Sequence, residues 1–226
     1  ARNLLAVIER EDMLGWWIAY DAFLDALVCA QGTEPFGEAR WRQFTDNDYV
    51  DVRIALEHKG FRPFGKEMLR DVVRRVASGR RMDSAQTWLS RLEWDGVERI
   101  DRFMHAYLGT VDDDYNRAVG RYAWSAMAGR VMSPGCQADM AVILVGDQGA
   151  RKTSAIKAIA PHPDMYTTLG LHEKEEDQSR RLRGTLVGEL EELKGLNSKT
   201  AETIKAWVTR TPEAWIPQFQ EIKTQS

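Results

Sequence analysis

The stretch Ala141 to Ala160, AVILVGDQGARKTSAIKAIA, decides the fold. Its first five residues, Ala141 to Val145, are apolar and mostly β-branched or Leu, the composition of a strand buried on both faces of a parallel sheet. A polar turn follows, made of Gly146, Asp147, Gln148, Gly149, Ala150 and Arg151. Lys152, Thr153 and Ser154 then open a segment with Ala155, Ile156 and Ile159 at helical spacing. Strand, glycine-containing loop and helix in this order form a phosphate-binding unit. The helix start leaves backbone N–H groups without intrahelical partners and carries partial positive charge, while Gly146 and Gly149 allow the main chain to wrap a phosphate closely. Lys152 is placed for the β/γ-phosphates, and the Thr153 hydroxyl is placed to ligate Mg²⁺. Ser154 points one residue further round the helix. The strict pattern has Gly before the Lys, and this sequence has Arg151 there. A non-Gly residue in the backbone conformation such a loop requires costs about 1–3 kcal/mol.

Working outward, 226 residues accommodate one large or two small domains, and a 43% apolar fraction with eight Trp is ample for real cores. A formal net charge of −3 excludes a uniformly basic nucleic-acid binder, so any such contact must come from a local patch. Cys29 and Cys136 stand far apart, which argues for a reducing compartment and against a disulfide framework or metal knuckle. No apolar run approaches a membrane span and no basic-then-apolar signal opens the chain, so a cytoplasmic protein without a membrane partner is expected. A first residue of Ala and the ending EIKTQS read as a segment of a longer polypeptide.

Before the loop, Leu4, Leu5, Ile8, Trp16, Trp17, Tyr20, Phe23, Leu24, Leu27 and Val28 recur at three- and four-residue steps. This predicts two amphipathic helices over Arg2 to Ala30, with the aromatics in the core rather than stacked on bases. Thr45 is the N-cap expected for a helix from Asp46 to about His58. The segment GFRPFGKEMLRDVVRRVASGRR is the most basic. Its helix places Met68, Leu69, Val72, Val73 and Val76 on one side and Lys66, Arg70 and Arg74 four apart on the other. That ridge either lies along nucleic-acid phosphate or is a solvated face with Glu67 and Asp71 as partners. A capped helix from Ser84, a helix through Leu108 and another after Asp112 to Asp114 lead to the loop. Beyond it, PHPDMYTTL and the charged HEKEEDQSRRLRG connect to Leu186, Val187 and Glu189, which predict a second short buried strand beside the first, ending in carboxylates, with Gly188 keeping the backbone thin. Glu189 is the candidate for the magnesium shell, and Glu192 or Glu191 for orienting or deprotonating water.

Three stretches together resemble the virulence-associated protein E family of phage and mobile-element P-loop ATPases, related to superfamily 3 helicases. They are LEWDGVERIDRFMHAYLG, YNRAVGRYAWSAMAGRVMSPGCQADMAVILVGDQGARKTSAIKAIA and QSRRLRGTLVGELEEL. The resemblance implies phosphate contacts from Gly146, Gly149 and Lys152, magnesium on Thr153 and Glu189, and a water-orienting acid near Glu192. It also implies that this chain stops before the family's polar sensor strand and arginine finger. The fold class expected is therefore α/β: an N-terminal all-helical domain over 1–92, then a truncated P-loop NTPase domain with a parallel sheet over 93–226. The function implied is an ATP- and Mg²⁺-dependent module of a DNA replication protein, helicase-like and working as a homo-oligomeric ring in the full-length protein. The alternative is a non-hydrolysing nucleotide- and DNA-binding accessory module.

Overall fold

The computed structural model describes residues 2–31, 41–170 and 173–190, with short pieces at 202, 204–205, 214–215 and 224–225. The chain is mixed α/β and divides into two compact units, Ala1–Trp88 and Leu89–Ser226.

The first unit is not all-helical. Helices α1 (Arg2–Ile8) and α2 (Glu11–Leu14) are followed by strands β1 (Trp16–Asp21) and β2 (Ala26–Gln31), paired antiparallel with Trp17 opposite Ala30 and Ala19 opposite Val28. The second predicted helix is thus a hairpin. Trp16, Ile18, Tyr20, Leu27 and Cys29 also satisfy a two-residue alternation, and these are the residues that meet the core. Aromatic and β-branched side chains favour that pleated surface. The turn between the strands is fixed by Asp21, a carboxylate only 1% exposed. Its Oδ1 accepts from the backbone N–H of Phe23 (3.0 Å), Leu24 (3.4 Å) and Ser84 (3.2 Å). Strands β3 (Arg42–Gln43) and β4 (Arg81–Met82) complete a sheet of order β3-β2-β1-β4, with β4 parallel to β1.

Helices α3 (Asp46–His58) and α4 (Lys66–Ser78) lie where the sequence predicts them. Thr45 is the N-cap of α3, and the buried Asp48 reaches back to accept from its backbone N–H at 2.6 Å and its hydroxyl at 2.8 Å. The Arg42 guanidinium donates to both Asp48 oxygens, at 2.8 and 2.5 Å. Chiefly through that fork, the carboxyl is held down at about 2. The apolar face of α4 closes the core with Leu69, Val72, Val73, Val76 and Ala77, whereas Met68, expected on that side, is 43% exposed at its edge. Full burial of residues such as Ile18, Val52, Leu56 and Val73 contributes about 1.5–3 kcal/mol each.

Helix α5 (Ser84–Ser90) carries the chain across the division. In the second unit, α6 (Phe103–Leu108) packs on α7 (Asp114–Met132), with Phe103 edge-on to Trp124. The acidic run before α7 works locally. Asp113 caps the helix by accepting from Asn116 N–H at 2.8 Å, and Asp112 pairs with Arg117 at 2.9 Å.

Ala141 to Val145 do not form the predicted strand. Among the described residues no ladder pairs with this run, and Val142, Ile143 and Val145 are 41%, 48% and 91% exposed. An apolar run is a strand only where a neighbour satisfies its N–H and C=O groups. The parallel pair forms elsewhere: β5 (Tyr166–Leu169) runs beside β6 (Val187–Leu190), with α9 (Glu175–Leu182) between them in the chain. The carboxylate-ending strand is where the sequence predicts it, but its hydrogen-bonded partner is β5, which the sequence reading leaves in a connecting segment. Gly188 does keep that strand thin: a Cβ there would lie 3.3 Å from Leu169 Cδ1 and 3.5 Å from Leu182 Cδ2. Short strands β7 (Ala214–Trp215) and β8 (Thr224–Gln225) pair antiparallel. No helix among the described residues is long and apolar enough to cross a membrane.

Candidate functional site

Helix α8 (Lys152–Ile159) begins at the predicted Lys, and the loop before it passes through the left-handed region twice. Gly149 has φ 86°, and Arg151, the N-cap, is itself left-handed at φ 56° and ψ 30°. The strain inferred from the missing glycine is therefore present in the backbone. A tight turn closes through Ala150 N–H to the Asp147 carbonyl at 3.2 Å, and the Arg151 carbonyl accepts the first helical bond from Ala155 N–H at 3.0 Å. Lys152 folds back over this loop. Its ammonium donates to the carbonyls of Gly146 at 2.7 Å and Asp147 at 2.8 Å, so the cation sits inside the loop it would share with an anion.

Thr153 and Glu189 are brought together across 36 residues of sequence. The Thr153 hydroxyl donates to Glu189 Oε1 at 2.8 Å, linking the first turn of α8 to β6. The other carboxylate oxygen, Oε2, accepts from the Tyr166 hydroxyl at 2.5 Å. Tyr166 opens β5, and the Lys157 ammonium of α8 lies 5.2 Å from its ring centroid. Neither Tyr166 nor Lys157 is marked by the sequence reading. The signal is the register of β5 on β6, which sets Thr168 opposite Glu189 and leaves Tyr166 opposite Val187, two residues along the same side of the strand.

A cleft of about 1450 Å³ runs beside this cluster, lined by Gly146, Gln148, Lys152, Thr153 and Glu189 and by apolar side chains including Ile143, Met127 and Ile156. Ser154 is exposed, on the first turn of α8 beyond Thr153. Chemically, the arrangement supplies a cation, a helix start and a hydroxyl next to a carboxylate oxygen. A hydroxyl and one carboxylate in contact suit a hard cation that keeps most of its water, such as Mg²⁺, better than one needing an all-protein cage. Glu191 and Glu192 lie outside the described residues.

The basic ridge is only partly free. Arg70 is ion-paired to Asp46 at 3.0 Å and stacked over Tyr49 at 5.6 Å, whereas Lys66 and Arg74 are exposed on the same helix. The aromatics of β1 are likewise engaged by arginines: Arg42 over Trp16, Arg80 over Trp17 and Arg81 over Tyr20.

The family model described as the virulence-associated protein E-like domain matches residues 89–226. No curated protein matches the chain.

Proposed function

The chain belongs to the virulence-associated protein E-like domain family, and on that premise we propose that it is the ATP-binding, magnesium-dependent module of a phage or mobile-element DNA replication protein. The observation that carries this reading is the 2.8 Å contact between Thr153 at the start of α8 and Glu189 on β6. A hydroxyl from the helix after a glycine-containing loop, set against a carboxylate from a neighbouring strand, is the pair of protein ligands that a nucleotide-bound magnesium ion requires.

In this reading Gly146, Asp147, Gln148, Gly149, Ala150 and Arg151 contribute the loop around the phosphates. Lys152 exchanges its two carbonyl partners for phosphate oxygens, trading neutral acceptors for charged ones. Thr153 and Glu189 hold Mg²⁺, which when bound neutralises phosphate charge and orients the terminal phosphoryl group. Ser154, on the exposed side of the first turn, assists at most through its backbone N–H. Glu192 is assigned to the attacking water on the strength of the family resemblance. Lys66 and Arg74, with Arg70 if its pair to Asp46 opens, form the surface proposed for DNA phosphate. A homo-oligomeric ring of the full-length protein belongs to the same proposal.

The test is nucleotide binding as a function of magnesium. Glu189→Gln should keep metal-free ATP affinity and lose the magnesium-dependent increase, since the amide is a poorer ligand for a hard cation. Glu192→Gln should keep both and stop turnover by full-length protein. An identical magnesium response in wild type and Glu189→Gln would refute the assignment of Glu189. ATP turnover stimulated by single-stranded DNA would identify the motor, and binding without turnover the accessory module.

A further inference from the structure

The sequence assigns no part to Tyr166, yet its hydroxyl is bonded to one of the two oxygens of the carboxylate at the centre of the site. Tyr166 Oη donates to Glu189 Oε2 at 2.5 Å while Thr153 Oγ1 donates to Oε1 at 2.8 Å. The two donors come from different elements, β5 and α8, and clamp the carboxylate in a fixed plane at the end of β6. Tyr166 is itself held from two directions. Its backbone is in the parallel ladder opposite Val187, and the Lys157 ammonium lies over its ring at 5.2 Å. Both it and Glu189 are half-buried, so water competes weakly for the bond.

We propose that Tyr166 is a positioning residue that holds Oε2 of Glu189 and leaves Oε1, on the Thr153 side, for a cation, so that the site selects a cation accepting one-toothed carboxylate ligation. This rests on the magnesium–nucleotide reading above. Thr153 Oγ1 and Oε1 are the pair that would hold the cation, while Oε2 is occupied by the phenol. Mg²⁺ demands near-octahedral geometry and takes carboxylates through one oxygen, whereas Ca²⁺ is larger and readily accepts both. Holding Oε2 on Tyr166 therefore disfavours Ca²⁺. With the phenol hydroxyl removed, Glu189 is free to turn and offer both oxygens.

The experiment compares ATP affinity of the whole chain by calorimetry in Mg²⁺, in Ca²⁺ and in chelator, for wild type, Tyr166→Phe and Tyr166→Leu, with circular dichroism to verify folding. Wild type should prefer Mg²⁺. Tyr166→Phe keeps the ring against Lys157 and should lower the Mg²⁺-to-Ca²⁺ affinity ratio by roughly tenfold, the scale expected when a partner orienting a metal ligand is removed. Tyr166→Leu should shift the ratio equally. A general packing defect would instead lower affinity alike in all three conditions. An unchanged ratio in Tyr166→Phe, or a change confined to Tyr166→Leu, would overturn the role of the hydroxyl while leaving the nucleotide site standing. Wild type that binds ATP no better with Mg²⁺ than with chelator would overturn both.

Discussion

Replacing Arg151 by Gly should stabilise the second unit, because Arg151 carries a Cβ through the left-handed region at φ 56° and ψ 30°. For an L-residue that conformation costs about 1–2 kcal/mol, and glycine removes the cost. Glycine also gives the unfolded chain more freedom, which returns about 0.4–1 kcal/mol. The balance is a net gain of about 0.5–1 kcal/mol. In a unit of this size it would appear as a rise of roughly 1–4 °C in the midpoint of thermal unfolding. Arg151→Ala separates strain from charge: it deletes the guanidinium and keeps the Cβ, so it should not stabilise. Urea unfolding of the three proteins, followed by tryptophan fluorescence with the two units fitted as separate transitions, measures the difference. If Arg151→Gly destabilises while Arg151→Ala is neutral, the left-handed residue is not strained and the reasoning fails. Arg151→Gly also restores the strict loop pattern, so equal or tighter ATP binding should accompany the gain in stability.

Asp48→Asn tests the forked pair with Arg42. The folded carboxyl is lowered to about 2, so its contribution is complete above the ordinary value and is lost as the pH falls from about 5 through 2. Because the Arg42 side chain is 51% exposed, the contribution is discounted for screening to about 1–2 kcal/mol. Wild type should lose that stability in acid unfolding curves, and Asp48→Asn should lose it already at neutral pH and show a flatter curve; parallel curves would contradict this. Gly120→Ala should destabilise despite the better helix propensity of Ala, since a Cβ would lie 2.9 Å from the Ile100 carbonyl oxygen. A stabilised Gly120→Ala would show that α7 is free to shift there. Replacing Lys66, Arg70 and Arg74 together by Gln should flatten the salt dependence of duplex DNA affinity by up to roughly 2–3 units in slope, with no dependence on base sequence. The Asp46 partner of Arg70 makes the lower figure the expected one, and an unchanged slope would make the ridge a solvated face.

What could be read from the sequence is what depends on neighbours in the chain. The start of α8 at Lys152, the capping of α3 by Thr45 and the apolar face of α4 follow from residue types within one or two turns. The carboxylate-ending strand followed similarly, since Gly188 and the apolar pair before it exclude a comfortable helix. The hairpin of β1 and β2 was missed because Trp16 to Val28 satisfies both helical and alternating periods, and only the pairing of Trp17 with Ala30 and the buried Asp21 turn choose between them. The run Ala141 to Val145 has the composition of a strand without a hydrogen-bonded neighbour, and no local pattern supplies that neighbour. Tyr166 was invisible for a related reason. Its partnership with Glu189 is created by the register of two strands 21 residues apart, from Tyr166 to Val187. Thr153 and Glu189 were each legible by type and position, but their contact exists only in three dimensions.

The central claim is that the loop and α8 bind a magnesium nucleotide through Lys152, Thr153 and Glu189. Calorimetric titration of the whole chain with ATP, with and without Mg²⁺, beside Lys152→Ala, tests it most directly. Wild type should bind saturably and more tightly with Mg²⁺. Lys152→Ala should show no binding while retaining the wild-type circular dichroism spectrum, because among the described residues the ammonium's hydrogen bonds go to two loop carbonyls. Equal ATP affinity in wild type and a folded Lys152→Ala, or no binding by wild type in either condition, would contradict the account.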